Sequence, residues 1–261
     1  MNGLIIATIN FKDLERFDFN ERFEWLESII TENLNNGLEV DVYVLPAAFL
    51  DIQDSAKEFL EWAIEGITSL LTDLSCKSVL CLGFDGLSGD EQLAIACNKD
   101  GCLAIGRKFH HMKDSMSNIV LSKSFLDIEN GYSRVFELKG MKLYIAVCYD
   151  IYGINHNEIE NPGVDVILNV IHGFGKSGVG SDESGFARKG LAGASQQWKC
   201  PVFGAANFTD RAIAENWPTG VFFDDSTVKR NSLKYEDIWI EPIGVYTREG
   251  KESHMKLYRC E

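Results

Sequence analysis

Apolar residues along this chain follow two spacings, and the switches between them outline its elements. Leu4 to Ile9 is a mostly apolar run that reads as a strand, whereas Phe23, Leu26, Ile29, Ile30 and Leu34 lie at helical spacing and predict a helix from about Phe19 to Leu34. Val40 to Pro46 reads as a second strand, Ser55 to Leu74 as a second helix and Ser78 to Phe84 as a third strand, so the chain opens β-α-β-α-β. Shorter runs near 92–97, 102–107, 133–138 and 142–147, separated by turn signals, predict an antiparallel portion added to a mixed sheet. Val164 to Asn169 is a further buried strand, Ser184 to Trp198 a helix, and Val202 to Asn207 a strand that delivers Asn207 to its end. Strands then continue to the C-terminus. Gly173 to Gly180 holds four glycines in eight residues and reads as a mobile flap; no Gly-Lys-Ser/Thr follows to make it a phosphate-binding loop. No repeat, low-complexity linker or shift of composition interrupts the chain, so residues 1–261 are expected to form one α/β domain.

Composition narrows the partners. Hydrophobic residues make up 45% of the 261, enough for a substantial core. A formal net charge of −14 repels phosphate backbones and anionic membranes, and no basic run interleaved with aromatics offsets it, so neither nucleic acid nor membrane is an expected partner. The start, Met1-Asn2-Gly3-Leu4, lacks a basic leader, and no apolar stretch approaches membrane-spanning length; a cytoplasmic protein is expected. The seven cysteines are odd in number and several lie inside apolar runs, as reduced thiols do. Cys97 and Cys102 flank the turn signal Asn98-Lys99-Asp100-Gly101 and should face each other across two strands. Joining them to His110 and His111 as a zinc site matches no common ligand spacing, so no metal or cofactor is expected.

The most informative segment is Val147-Cys148-Tyr149-Asp150-Ile151. It closes an apolar run from Leu143, which puts the Cys148 thiol where a core strand breaks into a turn and leaves the next N–H to face an oxyanion formed on it. The alternative for Cys148 is a small core residue. Together with Gly106-Arg107-Lys108-Phe109-His110, Leu45-Pro46-Ala47, the run Gly163 to Asn169 and the late helix followed by Pro201 to Asn207, it gives the chain a likeness over nearly its whole length. The chain resembles the nitrilase superfamily of carbon–nitrogen hydrolases, in which a lysine segment precedes the nucleophile by about the forty residues that separate Lys108 from Cys148. The resemblance implies a four-layer α-β-β-α sandwich, commonly assembled as a homodimer.

It also implies roles. Cys148 would attack an amide or nitrile carbon; Lys108 would lower the thiol pKa from about 8.5 and, with the backbone N–H of Tyr149, stabilise the oxyanion. The third member is a glutamate that carries the proton, and Ala47 occupies its position. An accessory glutamate often precedes a Ser-Lys pair in the family; here Leu121 precedes Ser122-Lys123. Candidate replacement bases are Asp51, Glu129, Asp150, His110 and His172, although Asp150 is better placed to cap the turn after Cys148 and the others have solvated or structural roles open to them. Asn169, Ser181, Arg188 and Asn207 are polar residues in reach of such a pocket that are given no site role. Two functions follow: an amidase-like hydrolase of a small linear amide, with a small amide or carboxylate as its ligand, or a non-catalytic subunit that keeps the fold for ligand binding or assembly.

Overall fold

In the computed structural model, which describes residues 3–51, 56–85, 92–110, 131–175, 183–225, 227–228, 232–248 and 253–261, the first apolar run becomes β1 (Leu4–Lys12), buried along nearly its whole length. The strand outruns its predicted end because the next residues find partners: Asn10 Oδ1 accepts from Ala206 N at 2.9 Å, and the Phe11 ring meets Trp25 edge-on at 3.9 Å. Asp18 and Glu21 close a capping box that starts α1 (Phe19–Asn35), satisfying two N–H groups that the first turn leaves open. This helix buries Trp25, Leu26, Ile29 and Ile30. The periodic run after it becomes α2 (Ala56–Asp73), which buries Leu60, Ala63, Ile67 and Leu71.

The remaining strands follow as β2 (Val42–Val44), β3 (Leu50–Asp51), β4 (Val79–Asp85), β5 (Gln92–Asn98), β6 (Gly101–Arg107), β7 (Val135–Leu138) and β8 (Met141–Val147). A short helix, α3 (Asp150–Asn155), leads to β9 (Val166–Phe174). After it come α4 (Ala192–Trp198), β10 (Val202–Phe208), β11 (Gly220–Val221), β12 (Gly244–Arg248) and β13 (Ser253–Cys260). One half of the sheet runs β6-β5-β4-β2-β1 and continues through β13 to β12; the other runs β11-β10-β9-β8-β7. They join where β1 and β10 lie parallel, Phe11 opposite Asn207 and Lys12 opposite Phe208. Away from that seam the halves fold face to face: β5 and β6 touch β8, β4 touches β9, and β2 touches both β9 and β10. Helices α1 and α2 cover one outer face with Ala7, Ile9, Tyr43, Leu80 and Leu82 beneath them. The stretch from Phe186 to Trp198, with α3, covers the other, Trp198 meeting the Tyr144 ring edge-on at 5.0 Å and Leu191 standing over Gly204. The expected four layers, α-β-β-α, are present.

Two local expectations need correction. β9 continues to Phe174, so Gly173 is a strand residue and not the start of a flap; a Cβ on it would stand 2.7 Å from the Asn207 carbonyl oxygen, and the missing side chain lets β10 approach. Beyond Gly175 the rest of that glycine-rich run, 176–180, lies outside the described residues. The predicted 184–198 helix is not uniform: Phe186–Leu191 winds as a π-helix between a single turn at Glu183–Gly185 and α4. No helix among the described residues is long and apolar enough to cross a membrane.

Candidate active site at the end of β8

Cys148 follows the last residue of β8 and is buried with φ 49°, a left-handed backbone conformation uncommon for a residue with a Cβ. The surroundings hold it there: Cys148 N donates to Val170 O on β9 at 2.7 Å, and the chain turns directly into α3. A second clamp is Asp150, whose carboxylate is fully buried. Its Oδ1 accepts from Phe109 N and His110 N, both at 2.9 Å, and its Oδ2 accepts from Val147 N at 3.2 Å and pairs with Arg134 Nη1 at 3.2 Å. Arg134 also donates to Arg107 O and lies 4.5 Å from the centre of the Phe109 ring. Burial pushes Asp150 upward, while Arg134 and the three N–H donors oppose that shift. The expected cap of the following turn is therefore corrected: Asp150 fastens the segment after β6 to the turn after β8, and so brings Lys108 to the Tyr149 ring.

Lys108 and Gln92 are each 1% exposed. They face each other at the open end of the β5–β6 hairpin, where Lys108 N donates to Gln92 O at 2.8 Å and the ammonium donates to Gln92 Oε1 at 2.7 Å. The same ammonium stands 5.4 Å from the centre of the Tyr149 ring. With Oε1 committed as acceptor, Gln92 Nε2 is the donor to His172 Nδ1 at 2.8 Å. That nitrogen therefore carries no proton, and neutral His172 holds its proton on Nε2. Among the described residues no carboxylate meets the Lys108 ammonium; its acceptors are a neutral amide and a ring face. Ala47 is fully buried, its N–H donating to Ile171 O at 3.0 Å, next to His172 in sequence. Gly83 of β4 packs on it so closely that a Cβ there would stand 2.5 Å from Ala47 Cα.

The sequence candidates thus separate. Cys148, Tyr149 and Lys108 come together where β8, β9 and the β5–β6 hairpin converge, and Ala47 lies against β9 at Ile171. His110 turns to α3: its Nδ1 is 3.0 Å from Glu158 Oε2 and its ring lies against Gly153. Burial holds it below its ordinary value, with Glu158 pulling the other way. Arg188 is spent on the Ser184 and Leu233 carbonyls, and Asn207 on Leu14 N and Glu15. Asn169 is fully buried, and neither side-chain atom has a hydrogen-bond partner among the described residues. Leu121, Ser122, Lys123, Glu129, His111 and Ser181 lie outside the described residues, as does the side chain of Asp51. Sequence reasoning passed over Gln92 and Arg134; the signal available for Gln92 was a polar residue leading the apolar run Leu93 to Cys97. The strand β6 separates Cys102 at its start from His110 beyond its end, so the four-residue zinc arrangement is not built.

No protein-family model matches the sequence, and no curated protein matches it either. Solved structures do match. A carbon–nitrogen hydrolase from Helicobacter pylori aligns with 98% of this chain and 89% of its own at TM-score 0.56 and 13% identity. Nit3 of Saccharomyces cerevisiae, a member of branch 10 of the nitrilase superfamily, aligns with 99% of this chain and 90% of its own at TM-score 0.53 and 13% identity. A mutant of the amidase from Nesterenkonia sp. AN1, whose active site cysteine carries the Michael addition product of acrylamide, aligns with 78% of each chain at TM-score 0.51 and 14% identity. With its four layers, its turn after β8 and these structural likenesses, the chain has the fold of the nitrilase superfamily.

Proposed function

We propose that this chain is an amidase-like carbon–nitrogen hydrolase that cleaves a small linear amide through a thioester on Cys148, turning over slowly because Ala47 offers no proton-transfer group. The observation that carries this reading is a buried ammonium, Lys108, set against the Tyr149 ring of the left-handed Cys148 turn, with a neutral amide and that ring face as its neighbours among the described residues. A cation withdrawn from water carries a penalty of several kcal/mol that dipoles offset only in part. In this reading a Cys148 thiolate is the balancing anion. It attacks the amide carbon, and the developing oxyanion is met by Lys108 and the Tyr149 N–H. The C–N bond breaks as the leaving nitrogen takes a proton from Lys108, leaving the thioester. Water then releases the carboxylate product and the thiolate, one of its protons restoring Lys108 and the other passing to the amine. The partners are a small amide or carboxylate ligand and, by the same likeness, a second copy of the chain.

Acrylamide addition tests the reading without a known substrate. Addition to each cysteine is followed across pH by mass spectrometry in the Cys102→Ser background, because the Cys97 side chain lowers the Cys102 pKa and Cys102 would compete. The buried thiols are internal controls: burial pushes Cys200 up to about 12 and Cys260 up to about 11. Cys148 is expected to react well below about pH 8.5, with the profile moving upward in Lys108→Ala. A profile that Lys108→Ala leaves in place sinks the hydrolase reading. The second reading, a non-catalytic subunit for ligand binding or assembly, is favoured by Ala47 and then stands.

A further inference from the structure

We propose that Cys97 and Cys102 form a paired-thiol modification site, which a peroxide converts to a disulfide across the tip of the β5–β6 hairpin. The two residues are register partners on antiparallel strands, joined by the turn at Lys99 and Asp100. Opposed residues in such a pair have Cα atoms about 4.5–5.5 Å apart, within the roughly 4.4–6.8 Å that a disulfide spans. Ala96 lies opposite Ala104 but Cys97 opposite Cys102, so the register slips at Leu103 and the bulge sets the direction of the facing thiols. The turn is held by Asp100 N donating to Asn98 Oδ1 at 2.9 Å and by Lys99 Nζ at 2.7 Å from Asp100 Oδ1. Forming the bond therefore needs no change of partner strand.

The two thiols differ in the way a stepwise oxidation requires. Cys97 is fully buried, whereas Cys102 is only half-buried and open to a small oxidant. The hydrogen bond between them lowers Cys102 and raises Cys97 well above its ordinary value, so Cys102 supplies the thiolate and Cys97 retains its proton. In the first step the Cys102 thiolate attacks a peroxide oxygen: the S–O bond forms, the O–O bond breaks, and the departing hydroxide takes a proton to become water. In the second, the Cys97 sulfur attacks the Cys102 sulfenic acid: the S–S bond forms, the S–O bond breaks, and hydroxide leaves with the Cys97 proton as a second water. Two electrons pass from the thiols to hydrogen peroxide, and a dithiol reductant returns them. Cys81, Cys200 and Cys260 are buried and raised by burial, which withholds them from this chemistry. The tip lies at the opposite end of the hairpin from Lys108 and Gln92, so the inference is independent of the hydrolase reading.

The experiment treats the full-length protein with hydrogen peroxide, blocks remaining thiols, and maps tryptic peptides without reductant. Cleavage after Lys99 puts Cys102 on peptide 100–107 and Cys97 on peptide 78–99, which also carries Cys81, so fragmentation assigns the linked sulfur. The expected product is these two peptides joined through Cys97 and Cys102, lighter by two hydrogens and separated again by dithiothreitol. In Cys102→Ser the joined product is lost, and in Cys97→Ser the Cys102 thiol runs on to the sulfinic acid. Sulfinic acid on Cys102 of the unaltered protein with Cys97 still alkylatable overturns the proposal. So does a link that joins Cys102 to Cys81.

Discussion

At position 47, which the proposed reading assigns to a missing proton-transfer carboxylate, a methyl group sits fully buried beside Ile171. Ala47→Glu is expected to raise turnover of small amides by about 10²–10⁴-fold, the usual contribution of a positioned acid–base group. Ammonia release reads the effect, with a thermal melt to show that the variant folds. No gain in a folded variant counts toward the non-catalytic reading. Gln92 gives the complementary change. Gln92→Glu places a carboxylate on the Lys108 ammonium that Gln92 Oε1 now accepts from at 2.7 Å, and an ion pair there draws the field of Lys108 away from the thiol. Acrylamide addition at Cys148 should slow about tenfold at neutral pH, equivalent to about 1.4 kcal/mol; an unchanged rate would show that Lys108 does not activate that sulfur.

At the scale of elements, the site depends on one carboxylate joining two loops. Asp150 accepts three backbone N–H bonds and pairs with Arg134. Asp150→Asn keeps the size but turns one acceptor into a donor facing donors. It should destabilise the protein by about 2–4 kcal/mol, read as a lower urea midpoint with an unchanged slope. A shift under about 0.5 kcal/mol would mean that the segment after β6 holds its place without this clamp. β9 makes a separate demand at Gly173, where Gly173→Ala drives a Cβ to 2.7 Å from the Asn207 carbonyl oxygen. Backbone must shift to admit it, and a loss of about 1–3 kcal/mol in the same assay is expected.

At the scale of the whole molecule, pH acts through partly buried histidines. Burial lowers His110, opposed by Glu158, and lowers His254, opposed by Glu215. A base held below its ordinary value binds its proton more readily in the unfolded chain, so its stabilisation is present above 6.5 and is lost as pH falls through the folded value. The urea midpoint should therefore drop between about pH 7 and pH 5.5, and the drop should shrink in His110→Gln combined with His254→Gln. Asp150 acts in the opposite sense nearer the carboxylate range, because burial raises it and its protonated form gains as pH falls. A double variant with the unaltered slope would assign the acid sensitivity to other groups.

Local pattern determined most of the elements. Helical spacing from Phe23 to Leu34 became α1, apolar runs became β1, β4 and β8, and the end of β8 put Cys148 on a turn because a strand of that length stops there. The turn signal after Cys97 was likewise enough to set it opposite Cys102, since a short hairpin fixes its own register. The tertiary structure decided what each buried polar group touches. Gln92 meets Lys108 from 16 residues away and His172 from 80, and Asp150 reaches Phe109 across 41, pairings that arise from sheet order and the packing of two faces. Periodicity reports which face of an element is apolar; the partner of a buried amide, carboxylate or ammonium depends on which strand lies beside it, and long-range register alone settles that.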